Sequence, residues 1–382
     1  MKKMRILVIS KRQYTNKDLI DDRFGRLREL PLALAVLGHE VTGVCLSYRK
    51  RDEGRRDDVT ASTTVNWHAL NLRRLLPWGE MSYRHTINRI AGDFHPDLVW
   101  ACSDAVHAIM GVHVAKKIGA SMVIDLYDNF ESFAFTRIPG VTSMFRRALA
   151  RADGITCVSH PLARYVKETS SCKCPVEVIE NAVPEGVFAP MDQSVSRREL
   201  GLPQDGIFIG TAGAISSSRG IETLFKAFEI LALTHPQIHL VLSGPCDKGL
   251  KLPHSPRVHY LGVLPSQMVP TFLSTLNISV ICNRDSAFGK YCFPQKFYES
   301  VACGVPVVAA GVGSLLDLHK DMPQNLYQPD NVDSLANALS AQIAHPNPLP
   351  VKVPSWMELG KQLERFFHLV KETTTKNEDT HQ

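Results

Sequence analysis

The chain has 382 residues, 44% hydrophobic and 21% charged, the make-up of a soluble globular protein with room for two domains that each bury a core. No apolar run approaches the ~20 residues that span a bilayer, and nine scattered cysteines, an odd number, argue against a disulfide-stapled scaffold. Net charge is +5 but uneven: residues 1–186 hold 27 Lys+Arg against 21 Asp+Glu, and residues 187–382 hold 16 against 17. The surplus base in the first half reads either as a solvated basic face or as the side that meets an anionic partner, and it is too small for a nucleic-acid binder.

The opening MKKMRILVIS is basic in front, but its apolar run has the length of a buried strand and no small-residue cleavage site follows. We expect no signal peptide and a reducing, cytoplasmic setting, with Cys172-Lys173-Cys174 too tightly spaced for a zinc or redox pair. Buried parallel strands are predicted at RILVIS (5–10), EVTGVCL (40–46), DLVWAC (97–102), SMVIDL (121–126) and GITCVS (154–159). Helix-length segments lie between them, such as Leu27–Leu37 and Ala105–Ile118, stopped by Gly38 and Gly119. After Asn181-Ala182-Val183-Pro184 the pattern restarts with IFIGTAG (207–213), HLVLSG (239–244), VHYLG (258–262), ISVIC (278–282) and VPVVAAG (305–311). Helices are predicted at Ile221–Thr234, Pro294–Cys303 and Trp356–Val370.

The alternation predicts an α/β chain of two doubly wound, Rossmann-like domains facing a cleft, with ligands at the carboxyl ends of both sheets. The expected division is 1–186, 187–350, a helix at 351–370 returning to the first domain, and a disordered tail at 371–382.

The densest chemistry lies in FPQKFYESVACGVPVVAAGVGS (293–314). Pro294 and Gly304 suit the ends of a helix on which Lys296, Glu299 and Cys303 share one face. A cation in the first turn opposes the macrodipole by ~0.3–1 kcal/mol, a conflict that an anionic ligand at the helix start would reverse. Glu299 there could accept from a ribose diol, or pair with Lys296 as an ordinary surface couple. Gly311-Val312-Gly313-Ser314 forms a strand-to-helix turn that lets backbone approach a phosphate, and Gly213 begins another such turn that ends in Arg219. Converging on one sheet edge, these turns read as a diphosphate site.

At these residues the chain resembles the retaining glycosyltransferases of the GT-B fold, glycosyltransferase family 4 above all. KFYESVACGVPVVA is the most specific segment. LGHEVTGVCLS, ADGITCVSHPL, VEVIENAVPEGVF, AISSSRGIETLFKAFEIL and PSWMELGKQLERFF extend the likeness over nearly the whole chain. The resemblance implies that the second domain binds a nucleotide-diphosphate sugar. Glu299 would hold the ribose, Arg219 stands where the family usually has a diphosphate-gripping lysine, and Gly311 and Gly313 match the loop over phosphates and sugar. Two positions depart from the pattern: Tyr291 replaces the first glutamate of the family's pair, and Ala214 replaces an arginine after Gly213. Lys296 restores one missing charge.

No Asp-x-Asp occurs, so no metal or cofactor is expected, and Arg219, Lys296 and helix amides carry the charge that develops on the leaving diphosphate. On the acceptor side the candidates are Gly25 in Arg23-Phe24-Gly25-Arg26, Asp104 and Asp128. Asp128 would orient or deprotonate an acceptor hydroxyl, although both aspartates also fit turn or helix-cap roles. Aromatics beside arginines in 130–152 and 72–85 suit either a core-facing stripe with a basic edge or the headgroup region of an anionic bilayer. The expected partners are therefore a nucleotide-sugar donor and a lipid-linked or saccharide acceptor in surface polysaccharide or glycolipid synthesis, with peripheral contact at the inner membrane face. A nucleotide-sugar epimerase and a non-catalytic scaffold on the same fold are the competing classes.

Overall fold

A computed structural model describes residues 2–14, 17–72, 78–132, 136 and 138–379. The chain divides into two compact units, Met1–Asn181 with Trp356–Gln382, and Ala182–Ser355. The sequence places the boundary at 186/187 and the last segment's start at 351. The contacts put them at Asn181/Ala182 and at Trp356.

The first unit runs β1 (Arg5–Lys11), the short pair β2 (Gln13–Tyr14) and β3 (Lys17–Asp18), α1 (Arg26–Val36), β4 (Glu40–Ser47), β5 (Gly54–Val59) and β6 (Thr64–Asn71). It continues with α2 (Trp78–Phe94), β7 (Leu98–Cys102), α3 (Ala105–Ile118), β8 (Ser121–Leu126), α4 (Val141–Ala150), β9 (Gly154–Cys157), α5 (His160–Thr169) and β10 (Val176–Val178). Eight strands form one sheet in the order β10-β9-β8-β7-β1-β4-β6-β5, parallel except for the last pair. The central strands are buried along nearly their whole length, as a sheet covered on both faces requires. Composition hides the β5–β6 pairing: GRRDDV is an exposed, charged edge strand with no apolar run to mark it.

The final helix, α13 (Trp356–Asp379), belongs to this unit. A Cβ on its Gly360 would stand 2.5 Å from Ala33 of α1, and one on Gly154 of β9 would stand 2.6 Å from Val370. Phe367 meets Trp100 edge-on at 5.5 Å between centroids, and Glu364 pairs with the buried His39 at 3.1 Å. The disordered tail predicted from Lys371 is corrected here. The helix continues through Asp379, with Lys371 bonded to Asp97 at 2.8 Å and no glycine or proline to stop it. Residues 380–382 lie outside the described residues.

The second unit runs α6 (Gln193–Glu199), β11 (Ile207–Ala212), α7 (Ile221–Thr234), β12 (Ile238–Ser243), β13 (Val258–Tyr260), α8 (Val269–Ser274) and β14 (Ile278–Ile281). Then follow α9 (Ala287–Tyr291), α10 (Gln295–Ala302), β15 (Val307–Ala310), α11 (Ser314–Leu318), β16 (Leu326–Tyr327) and α12 (Val332–Ala344). Its six strands are parallel in the order β13-β12-β11-β14-β15-β16. Phe225, Phe228 and Leu231 of α7 and Leu335 and Leu339 of α12 cover one face with Leu240, Val280 and Val308. Phe208 and Val241 pack with Phe272 and Leu273 of α8 in a second cluster.

Candidate active site

In the second sheet the strand order reverses between β11 and β14, and β15 lies next along. Ligands of doubly wound sheets sit beyond the carboxyl ends at such a reversal. β11 leads into Gly213, whose φ of +102° suits glycine and strains other residues. The Lys296 side chain lies over it: a Cβ built on Gly213 would stand 2.6 Å from Lys296 Nζ. This lysine comes from the first turn of α10, where Pro294 occupies the N-cap place and no side chain caps the free amides.

Withdrawal from water, then the charge of Arg219, pulls the Lys296 ammonium down to about 8, and Glu299 only partly opposes them. Burial lifts the Glu299 carboxyl up to about 7 against the pull of Lys296. Cys303, a turn further along the same face, is pushed up to about 12 by burial and the Glu299 charge. The shared face read from the i, i+3, i+7 spacing is therefore a single electrostatic cluster. Arg219 ends the short 3₁₀ turn Ser217–Arg219, and its guanidinium lies 3.7 Å from the centroid of the Phe288 ring.

β15 leads into Gly311, whose N–H donates to the Tyr327 carbonyl at 2.8 Å. Gly313 takes φ +59° and ψ −134°, and a Cβ there would stand 2.6 Å from the Lys290 carbonyl oxygen. The glycine turn therefore packs against α9, which ends in the half-buried Tyr291. Ser314 is buried, and its hydroxyl donates to the Cys292 carbonyl at 2.9 Å. That bond ties the turn to the segment before α10 and leaves the turn's backbone as the part that can approach a phosphate.

In the first unit Asp104 caps α3, accepting from the N–H groups of Val106 and His107. Its carboxylate also accepts from the Tyr48 hydroxyl at 2.8 Å and lies 2.6 Å from His107 Nδ1. Burial alone would raise its pKa, but His107, Tyr48 and Lys11 hold it well below the usual carboxylate range. Lys11, at the end of β1, is lowered by burial, while Asp104 and Asp128 oppose the shift. Asp128 accepts from the Asn129 N–H at 2.8 Å, the turn role, and also faces this lysine.

Gly25 has a φ of +83°, and a Cβ there would stand 2.5 Å from the Tyr14 ring, which meets the ring of Tyr127, the residue before Asp128, edge-on at 5.0 Å. The neighbouring Arg26 is buried in an ion pair with Asp125.

Thus Gly213, Lys296, Glu299 and Arg219 come together in one unit, and Asp104 and Asp128 in the other. Lys11, Tyr48, His107 and Phe288 escaped sequence reasoning. Only Lys11 carried a signal, as a cation closing the first strand.

Residues 26–186 match the family described as Glycosyltransferase Family 4, and residues 206–345 match Glycosyl transferases group 1. The chain is 29% identical over 188 residues to D-inositol 3-phosphate glycosyltransferase of Kribbella flavida, covering 45% of this chain and 43% of that one. The chain thus spans less than half the length of this relative. It is 25% identical over 286 residues to a GDP-mannose-dependent monoacylated alpha-(1-6)-phosphatidylinositol monomannoside mannosyltransferase of Corynebacterium glutamicum, covering 72% of this chain and 74% of that one. The structure of sucrose-phosphate synthase from Thermosynechococcus elongatus superposes with a TM-score of 0.71 at 18% identity over 99% of both chains. The fold is GT-B, with two Rossmann-like α/β units, and both halves carry glycosyltransferase domains.

Proposed function

We propose that this chain, built from a Glycosyltransferase Family 4 domain and a Glycosyl transferases group 1 domain, moves a sugar from a nucleotide-diphosphate donor to an acceptor hydroxyl with retention. One observation carries the reading: Lys296 lies on Gly213 with Glu299 beside it and Arg219 near enough to depress its pKa. Two cations held close together disfavour each other until an anion arrives, and a diphosphate leaving group supplies that anion. Lys296 and Arg219 stabilise it, and the Gly311–Gly313 turn supplies backbone close to the phosphates. Glu299 accepts from the ribose diol, and Tyr291 takes the place of the family's missing sugar carboxylate. In the first unit Asp128 orients the acceptor hydroxyl, with Asp104 holding Lys11 beside it. No resident metal is needed, since Lys296 and Arg219 provide the charge that a metal clamp would.

Differential scanning fluorimetry with UDP- and GDP-sugars is expected to raise the melting temperature with one donor class, because a ligand that binds only the folded state stabilises it. Transfer should then follow when a saccharide or glycolipid acceptor is added. An isomerised donor without any acceptor would instead mark an epimerase, and the absence of any shift or turnover would mark a scaffold.

A lipid-linked acceptor is supported by the corynebacterial relative, which is named for a phosphatidylinositol mannoside. No helix among the described residues is long and apolar enough to cross a membrane, and the setting we propose for such an acceptor is the cytoplasm, with peripheral contact at the inner membrane face. Of the aromatic–basic segment, Phe130 and Phe145 are buried core residues and do not face lipid. Phe133, Phe135 and Arg137, and residues 73–77, lie outside the described residues. Ile138 and Met144 are exposed near the start of α4, with Arg147 exposed further along it and Arg151 exposed just past its end. The protein is expected to float with liposomes containing anionic lipid and to be released by high salt. Recovery of all the protein in the soluble fraction at moderate salt would rule out this contact.

A further inference from the structure

We infer that Arg284 is a positioning residue that holds Arg219 ready for the donor diphosphate, an inference that rests on assigning the Gly213–Gly220 loop to the donor phosphates. Arg284 follows β14, and its Nε donates to the Ser217 carbonyl at 2.8 Å. Its other nitrogens lie 3.7 Å from Glu222 and 3.6 Å from Asp330. A Cβ on Gly220, the residue after Arg219, would stand 3.3 Å from Arg284 Cγ and 3.0 Å from Asp330 Oδ1. The arginine stem therefore runs along the loop while its head holds the turn by a backbone carbonyl.

The loop is braced elsewhere too. Asp247 accepts from the Ser216 hydroxyl at 2.7 Å and from the Ser217 N–H at 3.1 Å. Phe288, on the helix just after Arg284, lies under the Arg219 guanidinium. One short segment thus supplies a clamp for the turn and an aromatic platform for its arginine. Arg284 has two carboxylates near it, so its charge is already balanced, which marks it as a brace rather than a phosphate ligand. Its forked head meets a carbonyl and two acids at once, which a lysine cannot reproduce. Such bracing lets Arg219 meet the diphosphate without an ordering cost at binding.

The test is isothermal titration of the full chain with UDP and GDP, and with UMP and GMP. Arg284→Ala and Arg284→Lys are each expected to weaken the nucleoside diphosphate that the wild type binds by about tenfold, the size of a lost charge-assisted hydrogen bond. Monophosphate binding should change by less than about twofold if only the diphosphate grip is disturbed. Arg219→Ala should cost as much as Arg284→Ala, and the double variant no more than Arg219→Ala alone, because one residue acts through the other. Melting curves confirm that each variant is folded, and Arg284→Gln replaces alanine if it is not. Additive losses, equal loss for mono- and diphosphates, or no loss would overturn the brace. If the wild type binds neither UDP nor GDP, it is the donor assignment that falls.

Discussion

Replacing Lys296 by methionine is expected to lower kcat/KM by about 10²–10³-fold, the usual loss when one preorganised donor is removed from a developing anion. The same change should leave the unliganded protein at least as stable near neutral pH. Lys296 has a folded-state pKa of about 8 against an ordinary 10.5. Between those values the unfolded chain binds more protons, so the contribution of this residue to stability rises with pH there. Below about pH 8 the folded protein carries a disfavoured charge, and methionine removes it.

Glu299 has the opposite shift, about 7 against an ordinary 4.5. Its contribution is fully present below pH 4.5 and is lost as pH rises through about 7. If the carboxylate and the ammonium are the working forms, kcat/KM should rise through about pH 7 and fall through about pH 8. Rate profiles and melting curves across that range check both statements. A flat profile, or a loss of less than about threefold in the methionine variant, would remove Lys296 from the catalytic machinery.

The parts of this cluster that were legible in sequence are those whose geometry is local. Lys296, Glu299 and Cys303 share a face because a helix turns every 3.6 residues, so spacing alone places them together. Gly213 and Gly313 announce turns because their backbone angles disfavour other residues. The contact of Lys296 with Gly213 needed the pairing of strands far apart in sequence. The Arg284–Ser217 bond likewise joins residues 67 apart, and no spacing rule reaches that far. The same limit hid Lys11 and its link to Ser103, 92 residues on, which exists only because β1 pairs with β7. Among the strands, RILVIS was evident from continuous burial, whereas GRRDDV was missed because its partner and not its composition makes it a strand. The tail failed for a related reason. KETTTKNED is polar enough to read as disordered, yet it extends a helix already anchored by Phe366, Phe367 and Val370 in the first unit's core.

Asp125→Ala is expected to produce the largest loss of stability of any substitution considered, about 3–5 kcal/mol. Arg26 and Asp125 are both buried, with side chains 0% and 1% exposed, and they meet in two hydrogen bonds of 2.8 and 3.2 Å. Arg26 also donates to the Ile179 carbonyl at 3.0 Å and to Asn181 Oδ1 at 3.1 Å, while Thr156 donates to Asp125 at 2.7 Å. This network ties the start of α1 to β8, β9 and the chain end of the first unit. Removing the carboxylate leaves a guanidinium in the interior with no countercharge from Asp125, and the residual carbonyl bonds cannot restore its lost hydration. The double replacement Arg26→Met with Asp125→Leu removes both charges together and should recover most of the loss, because an apolar pair of similar volume often replaces a buried ion pair at little cost. Urea denaturation of the two variants and the wild type measures both steps. A single-variant loss below about 1 kcal/mol would show that water reaches the pair, and a double variant worse than the single would show that the network, rather than charge balance, holds the helix in place.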